Sequence, residues 1–187
     1  MKKILILGAS SDIGFTLLKN MASKDYIIGA HCNSNYKKLE TYIKKNKLEK
    51  KIRIFKANLN SQNSCHTLVK KFYKWTKKID LLVQLNGNVS KVTNWKLLKQ
   101  RDFEKDINSN LASAFFVAQK VFEKMEKFGG KIILMSTSSA LHGGGENSLA
   151  YGIGKMGIYT LTKGLARFGA KKNIIVNAVA PGYINTK

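Results

Sequence analysis

Six short apolar runs recur along the chain, separated by longer amphipathic stretches, and few folds accommodate that alternation. The runs are residues 3–7, 26–31, 52–57, 81–85, 131–136 and 174–178. Several are apolar almost without interruption, which suits parallel strands buried on both faces. The stretches between them repeat apolar residues at helical spacing. Residues 13–23 place Ile13, Leu17, Leu18 and Met21 on one face, and 37–47 and 64–77 are strongly amphipathic. Residues 103–127 read as one long helix, and 148–168 as another. Strand and helix in strict alternation predict a parallel sheet with helices on both faces. Right-handed crossovers make it doubly wound. The predicted class is α/β.

The 187 residues correspond to one domain, 1–187, with no linker, internal repeat or low-complexity segment. At 44% hydrophobic residues the chain can bury a core, which excludes a disordered protein. No apolar run approaches the ~20 residues of a membrane-spanning helix. The opening Met1-Lys2-Lys3 followed by Ile4-Leu5-Ile6-Leu7 begins like a signal peptide, but Gly8 ends it short of the ~7–15 apolar residues required. A first strand, a cytoplasmic location and no membrane partner are therefore expected. Cys32 and Cys65 have no metal-ligand spacing, form no CxxC pair and do not demand a disulfide; reduced thiols are expected. No metal site is predicted.

The net charge is +22, and only Arg53, Arg101 and Arg167 among the 33 basic residues are not lysine. Lysines cluster at 37–38, 44–51 and 70–78, on helical stretches with few aromatic or arginine residues interleaved. That pattern reads first as solvated helix faces. A second reading is a positive field that draws an acidic partner or a phosphate-bearing substrate. Nucleic-acid binding is the reading least supported.

The first run ends at Leu7 and is followed by Gly8-Ala9-Ser10-Ser11-Asp12-Ile13-Gly14 before the helical pattern starts. A glycine there lets the backbone turn tightly towards a pyrophosphate, and a glycine in the first helical turn permits close packing on the sheet. The helix N-terminus offers free amides to phosphate oxygens, and Ser10 and Ser11 add hydroxyls. An ordinary strand-to-helix loop is the competing reading of this turn alone. An acid at the end of the second strand usually holds a ribose 2′-hydroxyl. Here the segment is His31-Cys32-Asn33-Ser34-Asn35, followed by Lys37 and Lys38. Such a pocket, with Asn33 or Ser34 able to meet a 2′-phosphate, favours NADP(H) over NAD(H).

Tyr151 and Lys155 are four apart in a helical stretch and so share a face. An ammonium beside a phenol should lower its pKa towards working pH. The phenol can then exchange a proton with a carbonyl or alcohol oxygen. Ser136-Thr137-Ser138-Ser139 closes the fifth strand, where a serine hydroxyl faces the ligand crevice and can bond a substrate oxygen.

With these residues in place, the chain resembles classical short-chain dehydrogenases/reductases throughout its length, most of all the 3-oxoacyl-acyl-carrier-protein reductases. The resemblance implies a Rossmann fold and a catalytic set of Asn110, Ser138, Tyr151 and Lys155. Asn110 lies in Asn110-Leu111 of the long helix, and Ser138 stands thirteen residues before Tyr151. Lys155 would also bond the nicotinamide ribose, and Asn110 would help hold a water leading to Lys155. Further cofactor contacts carried over are Gly8, Ser10, Ser11, Asp12, Ile13 and Gly14 in the turn, Asn33 and Ser34, Asn58 and Leu59 after the third strand, and Asn86 and Gly87 after the fourth. The segment 177–186 matches the family's stretch beside the nicotinamide, giving Pro181, Gly182, Ile184 and Thr186.

The sequence also departs from the family. Asp12 stands at the second glycine of the turn, which is unfavourable near a pyrophosphate unless its side chain points away or caps the helix. Leu7 replaces a threonine. Gln84-Leu85-Asn86-Gly87 stands for Asn-Asn-Ala-Gly, so Asn86 puts bulk where alanine is expected. The family continues past Lys187 with a substrate-covering loop and helix and a last strand, so the fold is expected to be C-terminally incomplete relative to it.

The resulting expectation is an NADPH-dependent reductase of a 3-oxoacyl thioester-like carbonyl. An acidic acyl carrier protein would suit basic residues such as Lys131, Arg167, Lys171 and Lys172, taken to lie near the active-site side. A reductase of a sugar or nucleotide-sugar is the nearest alternative, and a non-catalytic cofactor-binding module the next. His142 reads as a solvated loop histidine, Trp75 as packing, and Trp95 as packing or a residue at the site's mouth. Apolar stripes on the long helix and on the helix after Tyr151, wider than one core face needs, imply a homodimer or homotetramer.

Overall fold

A computed structural model describes residues 1–90 and 92–185. The six apolar runs form the strands β1 (Lys2–Leu7), β2 (Tyr26–Cys32), β3 (Ile52–Lys56), β4 (Leu81–Gln84), β5 (Gly130–Met135) and β6 (Ile174–Val179). The helices are α1 (Asp12–Ala22), α2 (Tyr36–Lys45), α3 (Gln62–Thr76), α4 (Gln100–Ile107), α5 (Ser113–Met125) and α6 (Leu149–Gly169). Most limits fall within two residues of the sequence expectation, as fraying ends allow.

The long helix expected over 103–127 is the exception. It is divided by a wide π-type turn at Asn108–Ala112, between α4 and α5. The face buried up to this turn is the polar set Asp102, Asp106 and Asn110, while Phe103 is exposed, so the apolar pattern does not reveal the turn. Such turns are frequent at functional sites.

The strands form one parallel sheet in the order β3-β2-β1-β4-β5-β6. β1 pairs with β2 through Ile4 opposite Ile28, and with β4 through Leu5 opposite Leu82. The two-residue period of β1 divides its side chains between two core layers. Ile4 and Ile6 join Leu18, Ile28, Leu39 and Ile43 on the face covered by α1 and α2. Leu5 and Leu7 join Leu68, Phe72, Val117, Val121 and Ile158 on the face covered by α3, α5 and α6. Chain direction outward from β1 reverses at β4, so a crevice opens beyond the carboxyl ends of β1 and β4.

Trp75 packs against Phe55 and Phe72, as expected of a core aromatic. Among the described residues, no helix is long and apolar enough to cross a membrane, and no cluster of three or more His, Cys, Asp or Glu could hold a metal. Cys32 and Cys65 are free and buried.

Candidate active site

Every described residue nominated for cofactor or substrate follows the carboxyl end of a strand or sits on α4–α6 above those ends. Gly8 leaves β1 with φ +73°, a left-handed conformation that favours glycine. A Cβ on Gly14 would lie 2.2 Å from the Gly8 carbonyl oxygen, so the helix can close on the turn only because that atom is missing. Ser11 caps α1: its Oγ accepts from the Gly14 amide at 3.1 Å and donates to the Gly8 carbonyl at 2.8 Å. Its hydroxyl is thus committed to the turn and not free for a phosphate. The amides of Asp12 and Ile13 open the helix with no acceptor among the described residues, which is the donor arrangement an oxyanion needs.

Asp12 does not face an empty groove. Its carboxylate accepts from Lys38 Nζ at 3.1 Å, and the same ammonium reaches the Ser10 carbonyl at 3.2 Å and lies over the Phe15 ring. The acid is therefore held by a cation from α2. Lys38 also lines a hollow of about 600 Å³ with Ser34, Asn35, Tyr36, Lys37 and Lys56. Asn33, Ser34 and Asn58 are exposed at this end. Leu59 is in the core, 8% exposed, which leaves only its backbone for a ligand.

His31 was noted in the sequence only as standing where an acid was absent. It is 3% exposed, and its Nδ1 accepts from the Gly8 amide at 3.2 Å while Nε2 bonds the Ala57 carbonyl at 3.0 Å. One ring thus ties the glycine turn to the end of β3. Burial pushes its pKa down, against the Ala57 bond, so the ring is neutral with its proton on Nε2. A histidine closing the apolar run 26–31 was the available signal.

The bulk of Asn86 is absorbed away from the crevice. Its Nδ2 donates to Ser113 Oγ at 2.9 Å, and Gln84 donates to the Asn86 carbonyl at 2.6 Å. Gln84 in turn accepts from the Met135 amide at 3.1 Å. The Gln84 and Asn86 departures thus form one network with Ser113, each polar group satisfied. Gly87 keeps the close approach: a Cβ there would lie 2.5 Å from Asn110 Oδ1 and 2.9 Å from Lys155 Nζ.

Tyr151 and Lys155 share one face of α6, with Lys155 Nζ 5.7 Å from the centre of the Tyr151 ring. Lys155 is 3% exposed and donates to the Met135 carbonyl at 2.9 Å. Burial brings its pKa down to about 8. The sequence expectation for Tyr151 is reversed here. Burial pushes its phenol up, because the ammonium is turned to Met135 and does not offset the desolvation. Ser138 lies just past β5, which ends at Met135, in a 3-10 turn (Ser138–His142) that packs beside α6. Its amide donates to the Pro181 carbonyl at 3.0 Å, and its Oγ lies 3.7 Å from where a Gly182 Cβ would be. The stretch after β6 is thereby drawn to Ser138, bringing Pro181 and Gly182 to the crevice; Ile184 is exposed and Thr186 lies outside the described residues. No hydrogen bond joins Ser138, Tyr151 and Lys155 to one another among the described residues.

The four basic residues expected near the site are at the other end. Lys131 begins β5, Lys171 and Lys172 precede β6, and Arg167 is in the last turn of α6. They border the amino edge of the sheet, with Lys172 paired to Glu126. Trp95, half exposed, borders a hollow of about 400 Å³ with Leu98, Gln100, Phe103, Leu149, Ala150 and Ile153, next to Tyr151. His142 is exposed in its loop.

A doubly wound sheet with a glycine turn after its first strand, and a tyrosine and lysine over the crevice, defines a dinucleotide-dependent oxidoreductase. The residues at the turn fit such a cofactor, since the Asp12 and Ile13 amides at the start of α1 have no acceptor among the described residues. The chain belongs to the short chain dehydrogenase family, whose model matches residues 2–187. It is 34% identical to the 3-oxoacyl-acyl-carrier-protein reductase of Rickettsia prowazekii (strain Madrid E), covering 99% of this chain and 73% of that protein. It is 29% identical to an acetoacetyl-CoA reductase of Acinetobacter sp. (strain RA3849), over 99% of this chain and 75% of that one. The NADP-bound structure of ElxO superposes with a TM-score of 0.90 at 28% identity, covering 100% of this chain and 75% of that chain. The protein is thus an NAD(P)-dependent oxidoreductase.

Proposed function

We propose that the protein is an NADPH-dependent reductase of a 3-oxoacyl thioester, working as one domain in the cytoplasm. The observation that carries the reading is the Tyr151–Lys155 pair set over the crevice beside Gly87 and Ser138. When bound, NADPH supplies the hydride. Ser138 bonds the substrate carbonyl oxygen, and Tyr151 gives it a proton. The phenol, its pKa pushed up by burial, holds its proton at neutral pH and so has one to donate. Lys155 holds the nicotinamide ribose and passes a proton towards the phenol, with Asn110 supporting the water that resupplies it. Asp12 and Ile13 amides take the pyrophosphate, and Asn58 takes the adenine.

The preference for NADPH rests on the hollow lined by Lys37, Lys38 and Lys56, where Lys38 is paired with Asp12 and the described lining residues include no acid. The thioester reading is supported by the likeness to the two thioester reductases above. Phe103 on α4, Phe115 on α5 and Ile153 and Met156 on α6 are all exposed, which supports a homodimer or homotetramer packed through these helices.

Thermal-shift titration with NADPH and NADH tests the cofactor assignment: a larger shift with NADPH is expected, and a larger one with NADH overturns it. NADPH oxidation with acetoacetyl-CoA tests the substrate. Tyr151→Phe should remove turnover and leave the NADPH shift intact. Cofactor binding without thioester reduction would move the reading to a sugar-type carbonyl or to a non-catalytic module, distinguished by turnover of a keto-sugar.

A further inference from the structure

The segment after β4 belongs to no strand of the sheet, yet its backbone is bonded at alternate residues. Asn110, fully buried, donates from Nδ2 to the Asn88 carbonyl at 2.6 Å and accepts on Oδ1 from the Asn88 amide at 3.1 Å. Two residues further on, the Ser90 amide donates to Asp106 Oδ1 at 2.6 Å. Asp106 is 2% exposed. These are the positions at which a neighbouring strand would bond. The spacing matches: a four-residue step along a helix rises about 6 Å, and a two-residue step along a strand rises about 6.6 Å. The helical turn from Asp106 to Asn110, running from α4 into the π-type turn, therefore stands in for a strand.

The stretch so held begins at Gly87, whose backbone lies against Asn110 Oδ1 and Lys155 Nζ with no room for a Cβ. Asn110 also donates from Nδ2 to the Asp106 carbonyl at 2.9 Å, so the two clamping residues are themselves joined. The Ser109 hydroxyl bonds that same carbonyl at 3.3 Å. On the far side, Gly154 of α6 lets Asn110 approach, since a Cβ there would be 3.2 Å from that of Asn110. A buried carboxylate is costly unless it is bonded, and the bond Asp106 makes to Ser90 holds this wall.

We propose that Asp106 is a positioning residue of the active site: with Asn110 it clamps residues 88–90 and thereby keeps Gly87 against Lys155. It touches neither substrate nor cofactor and acts through the segment it grips. The assignment rests on the proposed reductase chemistry for its effect on rate, but the clamp itself does not.

Two variants in the full chain test it, Asp106→Ala and Asp106→Asn. The asparagine keeps a side-chain oxygen for the Ser90 amide, and the alanine does not. Hydrogen–deuterium exchange of the peptide spanning 87–90 reads the clamp without turnover. Exchange should speed at least about tenfold in Asp106→Ala, as for a lost backbone bond of about 1.4 kcal/mol, and stay near wild type in Asp106→Asn. With acetoacetyl-CoA, kcat should fall about ten- to a hundredfold in Asp106→Ala, the scale of an ångström-sized misplacement. The dissociation constant for NADPH, read by fluorescence, should move less than about threefold by the same reasoning, and Asp106→Asn should restore kcat. Unchanged exchange in Asp106→Ala overturns the clamp. Faster exchange with unchanged kcat, or equal loss of kcat in both variants, overturns the positioning role. If the wild type itself reduces no thioester, the reductase reading fails separately and the exchange arm still decides whether Asp106 holds the segment.

Discussion

Replacing Lys155 with methionine should make the protein more stable while removing its activity. Lys155 is 3% exposed, and burial lowers its pKa from an ordinary 10.5 to about 8. At about 1.36 kcal/mol per tenfold change in proton affinity, that difference is roughly 3 kcal/mol of cost for keeping an ammonium at this place at neutral pH. Methionine fills a similar volume without charge. The lost bond to the Met135 carbonyl offsets about 1 kcal/mol, leaving a net gain of about 2 kcal/mol. For a chain of this size that is a rise of roughly 4–8 °C in Tm. The sign of the pH dependence follows from the lowered value. Between about pH 8 and 10.5 the unfolded chain holds a proton on Lys155 that the folded chain has released, so wild-type stability rises with pH there. The advantage of Lys155→Met is full below about pH 8 and falls to less than about 1 kcal/mol at pH 10. Urea unfolding of both proteins at pH 7 and pH 10 measures it. A variant less stable than wild type at pH 7, or a difference that does not change with pH, would refute the argument that burial of this charge is the dominant cost.

Three further changes probe the rest of the site and the core. Gly87→Ala places a Cβ 2.5 Å from Asn110 Oδ1 and 2.9 Å from Lys155 Nζ; turnover should drop at least about tenfold, and wild-type kinetics would disprove the close approach. Asp12→Asn removes a carboxylate beside the amides proposed to take the pyrophosphate and releases Lys38. NADPH affinity should rise up to about fivefold, within the ~1 kcal/mol range of an exposed pair, and the gain should shrink with salt; weaker binding would show that Asp12 is needed to hold Lys38 in place. Phe72→Ala empties a fully buried site between β2 and α3; unfolding free energy should fall about 3–5 kcal/mol, and a loss under about 2 kcal/mol would mean the core refills the space.

The sheet was legible because burial on both faces forces continuous apolar runs such as Ile4–Leu7, which no surface strand carries. The helices were legible from one apolar stripe each. The turn at Gly8 and the Tyr151–Lys155 pair were readable because their chemistry requires particular residue types at fixed spacing. What escaped was carried by polar side chains whose partners lie far along the chain. His31 joins Gly8 to Ala57, Asn86 reaches Ser113 and Asp106 reaches Ser90. No local pattern announces such bonds. The π turn at 108–112 escaped because the residues buried up to it, Asp102, Asp106 and Asn110, are polar and leave no apolar stripe to follow. The end of the sheet to which Lys131 and Lys171 belong was misjudged, since position in sequence says nothing of the edge until strand direction is traced.

Among the described residues, β6 pairs only with β5, and Ile175 and Val179 on it are half exposed. A border of unpaired backbone groups beside apolar side chains is a template on which another polypeptide can add. Two copies of a chain carrying +22 charges repel each other before those borders meet. Salt weakens that repulsion, because its range contracts from about 30 Å at 0.01 M to about 3 Å at 1 M. Added electrolyte thus eases the approach of two copies, whichever faces they present, and dilute buffer holds them apart.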